Sequence, residues 1–138
     1  MHKLWLVGGG SGQPDYLLPL AKQVLEQADC VIASERFLKL AAGKKQIPMK
    51  QLSALLEQLP TLLETDSVAI LVSGDPLLYS FYRTVRNRYP DWEITVIPGV
   101  GSLQLLGAKF GLTMLTTNIP CTAAFIYQFS VSGTGNTR

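Results

Sequence analysis

Three short runs hold the residues of this chain best suited to meeting a ligand. The first is Gly8-Gly9-Gly10-Ser11-Gly12, followed by Pro14 and Asp15. Glycines let backbone amides approach a ligand closely, and a helix starting behind them adds a positive dipole. A tight structural turn explains the cluster equally well. The second is Ser73-Gly74-Asp75-Pro76-Leu77-Leu78-Tyr79-Ser80. The Asp75 carboxylate could accept hydrogen bonds from a ribose or an amine, or cap a helix beginning near Pro76, and the two roles are compatible. The third is Pro98-Gly99-Val100-Gly101-Ser102, where Ser102 is first of all a helix cap. No side-chain nucleophile with a base stands out, so no catalytic residue is assigned. The chain has 2 cysteines, Cys30 and Cys121, and 1 histidine, His2, which excludes an ordinary zinc-ligand spacing. Cys30 sits in an apolar run and reads as a buried reduced thiol.

The elements that must position these runs are legible around them. Leu4 to Val7 is an apolar run stopped by Gly8, as in a buried parallel strand. A helix is expected from Pro14 and Asp15 onward, with Leu17, Leu18, Ala21, Val24, Leu25 and Ala28 on one face. Cys30 to Ala33 reads as a second strand and Phe37 to Leu40 as a short helix ending near Gly43. Lys44 and Lys45 read as a solvated turn. Leu52, Leu55, Leu56, Leu59, Leu62 and Leu63 repeat at helical spacing, with Pro60 expected to end or kink that helix. Ser67 to Val72 is the clearest buried strand. Leu78, Phe81, Tyr82, Val85 and Tyr89 make an amphipathic helix, Ile94 to Ile97 a strand, and Leu103 to Phe110 a helix closed by Gly111. Residues 123–127 are one further strand candidate.

Strands alternating with helices imply an α/β fold, a three-layer parallel sheet of about five strands with helices on both faces. Right-handed crossovers then bring all strand C-terminal ends to one edge, and the three glycine-bearing turns with them. A ligand groove along that edge follows. With 138 residues, 47% hydrophobic and 16% charged, the chain is large enough for one ordered core. A formal net charge of +2 gives no basic stripe for nucleic acid. The N-terminal apolar run is too short for a secretion signal or a membrane span, so a cytoplasmic protein is expected.

The three turns also resemble the motifs of the tetrapyrrole (corrin/porphyrin) methylases. Val7 to Pro14 with Leu17 and Leu18 resembles the family's opening Val-Gly-x-Gly-Pro-Gly-x-Pro run. Val72 to Ser80 is similar to its Ser-Gly-Asp-Pro-x-x-Tyr-Ser motif, and Val96 to Gln104 to its Val-Ile-Pro-Gly-x-Ser-Ser-x-Gln motif. Ala28 to Leu38, with Ser34-Glu35-Arg36, resembles the branch that methylates carbon 5 of a precorrin in cobalamin biosynthesis. The resemblance covers residues 4–112.

The resemblance implies S-adenosyl-L-methionine as cofactor and a precorrin or cobalt-precorrin as substrate. It implies an in-line methyl displacement that needs positioning and exclusion of water. It places the cofactor against Ser73, Gly74, Asp75, Leu78, Gly101 and Ser102. It lines the substrate cleft with Gly10, Ser11 and Gly12, and lets Arg36 pair with a carboxylate arm of the macrocycle, an ordinary surface arginine being the plainer reading. A carbon-15 methyltransferase and decarboxylase is the implied partner, and association with further copies of itself is expected. The chain departs from the pattern where Ser11 replaces a proline and Gly101 replaces a hydroxyl residue.

Residues 1–112 are expected to form the family's first domain, and 113–138 a divergent or truncated tail with a disordered end. The second domain is expected to be absent and the chain inactive alone. Competing readings are diphthine synthase or an rRNA ribose methylase within the superfamily, which the small net charge disfavours for RNA, and a non-catalytic Rossmann-like nucleotide-binding module.

Overall fold

The computed structural model describes residues 1–77 and 81–111. Among these residues five strands form one sheet: β1 (Leu4–Gly8), β2 (Cys30–Ala33), β3 (Lys45–Pro48), β4 (Val68–Val72) and β5 (Ile94–Ile97). Their order is β3-β2-β4-β1-β5, and every neighbouring pair is parallel. Among the described residues five α-helices accompany them: α1 (Pro19–Gln27), α2 (Glu35–Leu38), α3 (Leu52–Thr65), α4 (Phe81–Arg88) and α5 (Ser102–Phe110).

The period of two along each strand sorts its side chains into two cores. Trp5, Val7, Val31, Ala33, Ala69 and Leu71 face Ala21, Val24 and Leu25 of α1 and Phe37 of α2. Leu4, Leu6, Cys30, Ile32, Val68 and Ile70 face Leu55, Leu59 and Leu63 of α3 and Val85 of α4. With apolar partners on both faces, the central strands read as unbroken apolar runs. The two faces also explain the strand order. The chain moves from β1 through β2 to the β3 edge with α1 and α2 on one face. It returns through β4 to β5 with α3 and α4 on the other. Movement in opposite directions on opposite faces is what right-handed crossovers require.

The expected α/β fold, a parallel sheet with helices on both faces, is the one observed. Several local expectations are corrected. The helix read from Pro14 starts later: Pro14–Tyr16 is a single 3₁₀ turn and α1 begins at Pro19. Leu18, which precedes Pro19, is extended at φ −61° and ψ 146°, because a residue before proline avoids the helical region. Pro60 neither ends nor interrupts α3, which continues to Thr65. Proline removes the N–H that would bond the carbonyl four residues back, that of Leu56. The Tyr89 hydroxyl donates to that carbonyl instead.

The fifth strand of the sheet is β3. It begins at Lys45, so that residue lies in a strand, while Lys44 donates to the Glu26 carbonyl in the last turn of α1. The strand candidate at 123–127 lies outside the described residues. Cys30 is a free, fully buried thiol, and burial raises it above the ordinary thiol range. Among the described residues no helix is long and apolar enough to cross a membrane.

Candidate functional site at the C-terminal edge of the sheet

Because all five strands are parallel, the segments that follow β1, β2, β4 and β5 emerge at one edge. The three glycine turns meet there as a backbone assembly. Gly9 N donates to the Val72 carbonyl at 2.7 Å, Gly10 N to the Gly74 carbonyl at 3.2 Å, and Gly74 N to the Gly10 carbonyl at 2.8 Å. The last two bonds form an isolated antiparallel bridge that joins the first turn to the second. Gly10 and Gly74 hold it at φ 59° and 65°, the left-handed region that side chains disfavour.

The third turn closes on the other two by direct contact. A methyl group on Gly99 would lie 2.1 Å from the Gly74 carbonyl oxygen, and one on Gly8 would lie 2.5 Å from Gly99 N. Neither distance is sterically accessible, so these glycines serve the packing of one turn on another. Phe37, fully buried in α2, supports the first turn from below. A methyl group on Gly9 would meet its ring at 2.8 Å, and one on Gly12 at 3.2 Å. Nothing in the local sequence around Phe37 marks that role; it follows from the packing of the Phe37 ring against the turn after β1.

Asp75 links the second and third turns. Its Oδ1 accepts from Leu77 N at 2.8 Å and its Oδ2 from Gly99 N at 3.2 Å. The first bond is the local turn expected of an aspartate before Pro76. The second, across 24 residues, was not legible in the sequence. Ser73 is half-buried beside it, and its hydroxyl has no hydrogen-bond partner among the described residues. Leu77 is 60% exposed at the same edge.

Gly101 and Ser102 are both buried at the start of α5. Gly101, not Ser102, occupies the N-cap position, and no side chain caps the helix. Ser102 as a cap is therefore corrected: it is the first helical residue, only 1% exposed. Ser11 accepts weakly from Gln13 N at 3.4 Å, and Gly12 turns at φ 93°. Leu78 lies outside the described residues.

Arg36 follows β2 on the same edge. Its guanidinium sits 4.4 Å from the Phe37 ring centroid, and desolvation lowers its pKa from the ordinary value. No carboxylate pairs with it among the described residues. The structure thus places Gly10, Ser11, Gly12, Arg36, Ser73, Gly74, Asp75, Gly101 and Ser102 at the ends of four parallel strands.

The strand order separates this edge from a dinucleotide-binding half. There β1 lies between β2 and β4. Here β4 lies between β2 and β1, and β1 is flanked by β4 and β5. The model of the tetrapyrrole (corrin/porphyrin) methylases matches residues 3–121. The chain belongs to that family.

Its relatives agree on the fold and on the part of the chain concerned. A probable cobalt-precorrin-7 C(5)-methyltransferase from Methanocaldococcus jannaschii is 28% identical over 116 residues, covering 80% of this chain and 55% of its own length. The chain therefore spans about half the length of the curated relative it matches. The precorrin-6Y methylase from Archaeoglobus fulgidus superimposes with a TM-score of 0.71 at 24% identity, covering 83% of this chain and 62% of that one. A uroporphyrin-III C-methyltransferase from Thermus thermophilus, solved with S-adenosyl homocysteine, superimposes with a TM-score of 0.63 at 28% identity, covering 76% and 48%.

A methylase of this family needs a surface for an adenosyl group: an apolar contact, hydroxyl or amide partners, and close backbone approach. The edge offers Leu77 exposed, the Ser73 hydroxyl half-buried and without a partner among the described residues, and glycines packed without side chains. These residues fit that group.

Proposed function

We propose that this chain is part of an S-adenosyl-L-methionine-dependent methyltransferase acting on ring carbon 5 of a precorrin or cobalt-precorrin. The observation that supports this most is the convergence of the three family motifs into one backbone-built edge. The relative from Methanocaldococcus jannaschii, a probable carbon-5 methyltransferase, supports the choice of substrate.

The cofactor would supply an electrophilic methyl group. The residues of this chain would hold and orient it: Ser73 by its hydroxyl, Gly74 and Gly101 by close backbone approach, and Leu77 by apolar contact. The Ser102 position adds a buried hydroxyl residue where α5 starts. Arg36, with no acidic partner among the described residues, suits a carboxylate arm of the macrocycle. Binding and orientation alone account for a large share of the barrier to a displacement reaction. The reaction requires no side-chain nucleophile.

Calorimetric titration with S-adenosylhomocysteine, against NAD as control, tests the cofactor reading. Saturable binding of S-adenosylhomocysteine alone is the expected result. Binding of NAD alone, or of neither, overturns the proposal that this edge holds the methyl donor.

A further inference from the structure

Asp75 lies in the motif that the family resemblance assigns to the cofactor, yet each of its oxygens already accepts a backbone N–H within the protein. Oδ1 holds the Leu77 amide at 2.8 Å and Oδ2 the Gly99 amide at 3.2 Å. The second bond is made between turns that follow β4 and β5, strands that are not neighbours in the sheet, since β1 lies between them.

We infer that Asp75 is a positioning residue, a latch that sets the third glycine turn against the second, and not a direct ligand of the cofactor. Three observations carry this. The Gly99 amide has a carboxylate acceptor, the stronger class of hydrogen bond. The backbone at Gly99 must sit in a slot that admits no methyl group, because the Gly74 carbonyl lies within 2.1 Å of where it would be. The third turn leads directly to Gly101 and Ser102, two of the residues proposed to meet the cofactor. A displaced Gly99 therefore displaces the start of α5. The Gly10–Gly74 bridge fixes the first turn to the second without any side chain, so Asp75 supplies the side-chain link to the third.

This rests on the proposed cofactor site only for its second readout. The experiment uses the 138-residue chain, labelled with nitrogen-15, as wild type, Asp75→Asn and Asp75→Ala. Amide hydrogen exchange is followed at Gly99 and Leu77, and affinity for S-adenosylhomocysteine is measured in parallel. In Asp75→Ala both amides lose their acceptor. In Asp75→Asn the single amide oxygen keeps the closer, local bond to Leu77, and the NH2 group faces the Gly99 N–H.

Gly99 exchange is expected to rise about tenfold in both variants, and Leu77 exchange in Asp75→Ala alone. Affinity for S-adenosylhomocysteine is expected to fall about tenfold in Asp75→Asn, measured well below the thermal midpoint of the variant so that only folded chain is compared. Asp75→Asn carries the test if Asp75→Ala fails to fold. Gly99 exchange that is free in the wild type, or unchanged in the variants, overturns the latch. Weakened binding with unchanged Gly99 exchange makes Asp75 a direct ligand. Faster Gly99 exchange with unchanged affinity reduces the latch to a structural bond and overturns its positioning role. A wild-type chain that binds no S-adenosylhomocysteine sinks the cofactor reading and the positioning role with it, while the exchange data still decide the latch.

Discussion

The two edges of the sheet differ in how much side chains contribute to them. At the N-terminal edge, side chains add to backbone bonds such as Asp29 N to the Ser67 carbonyl at 3.0 Å and Val68 N to the Lys3 carbonyl at 2.9 Å. Asp29 Oδ2 accepts from Ser67 N at 2.8 Å, His2 Nδ1 lies 3.1 Å from the Leu63 carbonyl, and Lys45 pairs with Asp66 at 2.8 Å. At the C-terminal edge, backbone meets backbone through Gly8, Gly9, Gly10, Gly74 and Gly99, and Asp75 is the one residue whose side chain joins two of the three glycine turns among the described contacts. A ligand edge must keep side chains out of the way and leave backbone surfaces within reach. A purely structural edge has no such constraint. The contrast predicts that small substitutions are damaging at one edge and mild at the other.

The largest effect is expected from Gly99→Ala. Its methyl group has no space against the Gly74 carbonyl, so the turn must move or the chain unfold. A loss of about 3 kcal/mol or more is expected in urea denaturation, in the range of severe overpacking. Gly43→Ala is the control, because that glycine has φ 84° and nothing within 4 Å. It should cost only the left-handed backbone term, about 1–2 kcal/mol. Equal losses at the two positions would break the contrast between contact and conformation.

Asp29→Ala comes next. It removes the acceptor of the Ser67 amide at the N-terminal edge, where water can replace it. A loss of about 1 kcal/mol is expected by the same denaturation measurement. A loss matching that of Gly99→Ala would show that the two edges do not differ in tolerance.

Lys45→Ala should be smallest, since the ion pair is solvent-exposed and such pairs contribute little. Its pH dependence has a definite sign. The hydrogen bond to Asp66, and then its charge, raise the Lys45 pKa above the ordinary lysine value. The stabilisation is therefore fully present below the ordinary lysine range and is lost as pH rises through the raised value. The wild type and Lys45→Ala should converge in thermal midpoint above that range. A difference that persists there would assign the effect to packing of the lysine stem.

Most of the fold was legible because buried parallel strands and amphipathic helices write themselves in local pattern. β2 and β5 have the bounds that the apolar runs Cys30 to Ala33 and Ile94 to Ile97 suggest, and α5 closes at Gly111 with φ 66°. β3 escaped because its four residues, Lys-Gln-Ile-Pro, form a sheet edge on which only Ile47 packs inward. Its ladder to β2 is made by backbone, which no side-chain pattern reports. The continuity of α3 through Pro60 escaped for a similar reason. The group that accommodates the lost bond, the Tyr89 hydroxyl, lies 33 residues away from Leu56.

The site divides along the same line. The sequence by itself determined that three glycine-bearing turns follow apolar strands, and which residues they carry, because strand ends and turn residues are local properties. It could not determine that Gly10 pairs with Gly74, that Gly99 rests on the Gly74 carbonyl, or that Asp75 reaches Gly99. Those contacts depend on strand order, and β4 enters between β2 and β1 only when the right-handed crossovers on both faces are complete. Local chemistry chose the residues of the edge, and the tertiary packing of β4 beside β1, with β5 on its far side, decided which of them touch.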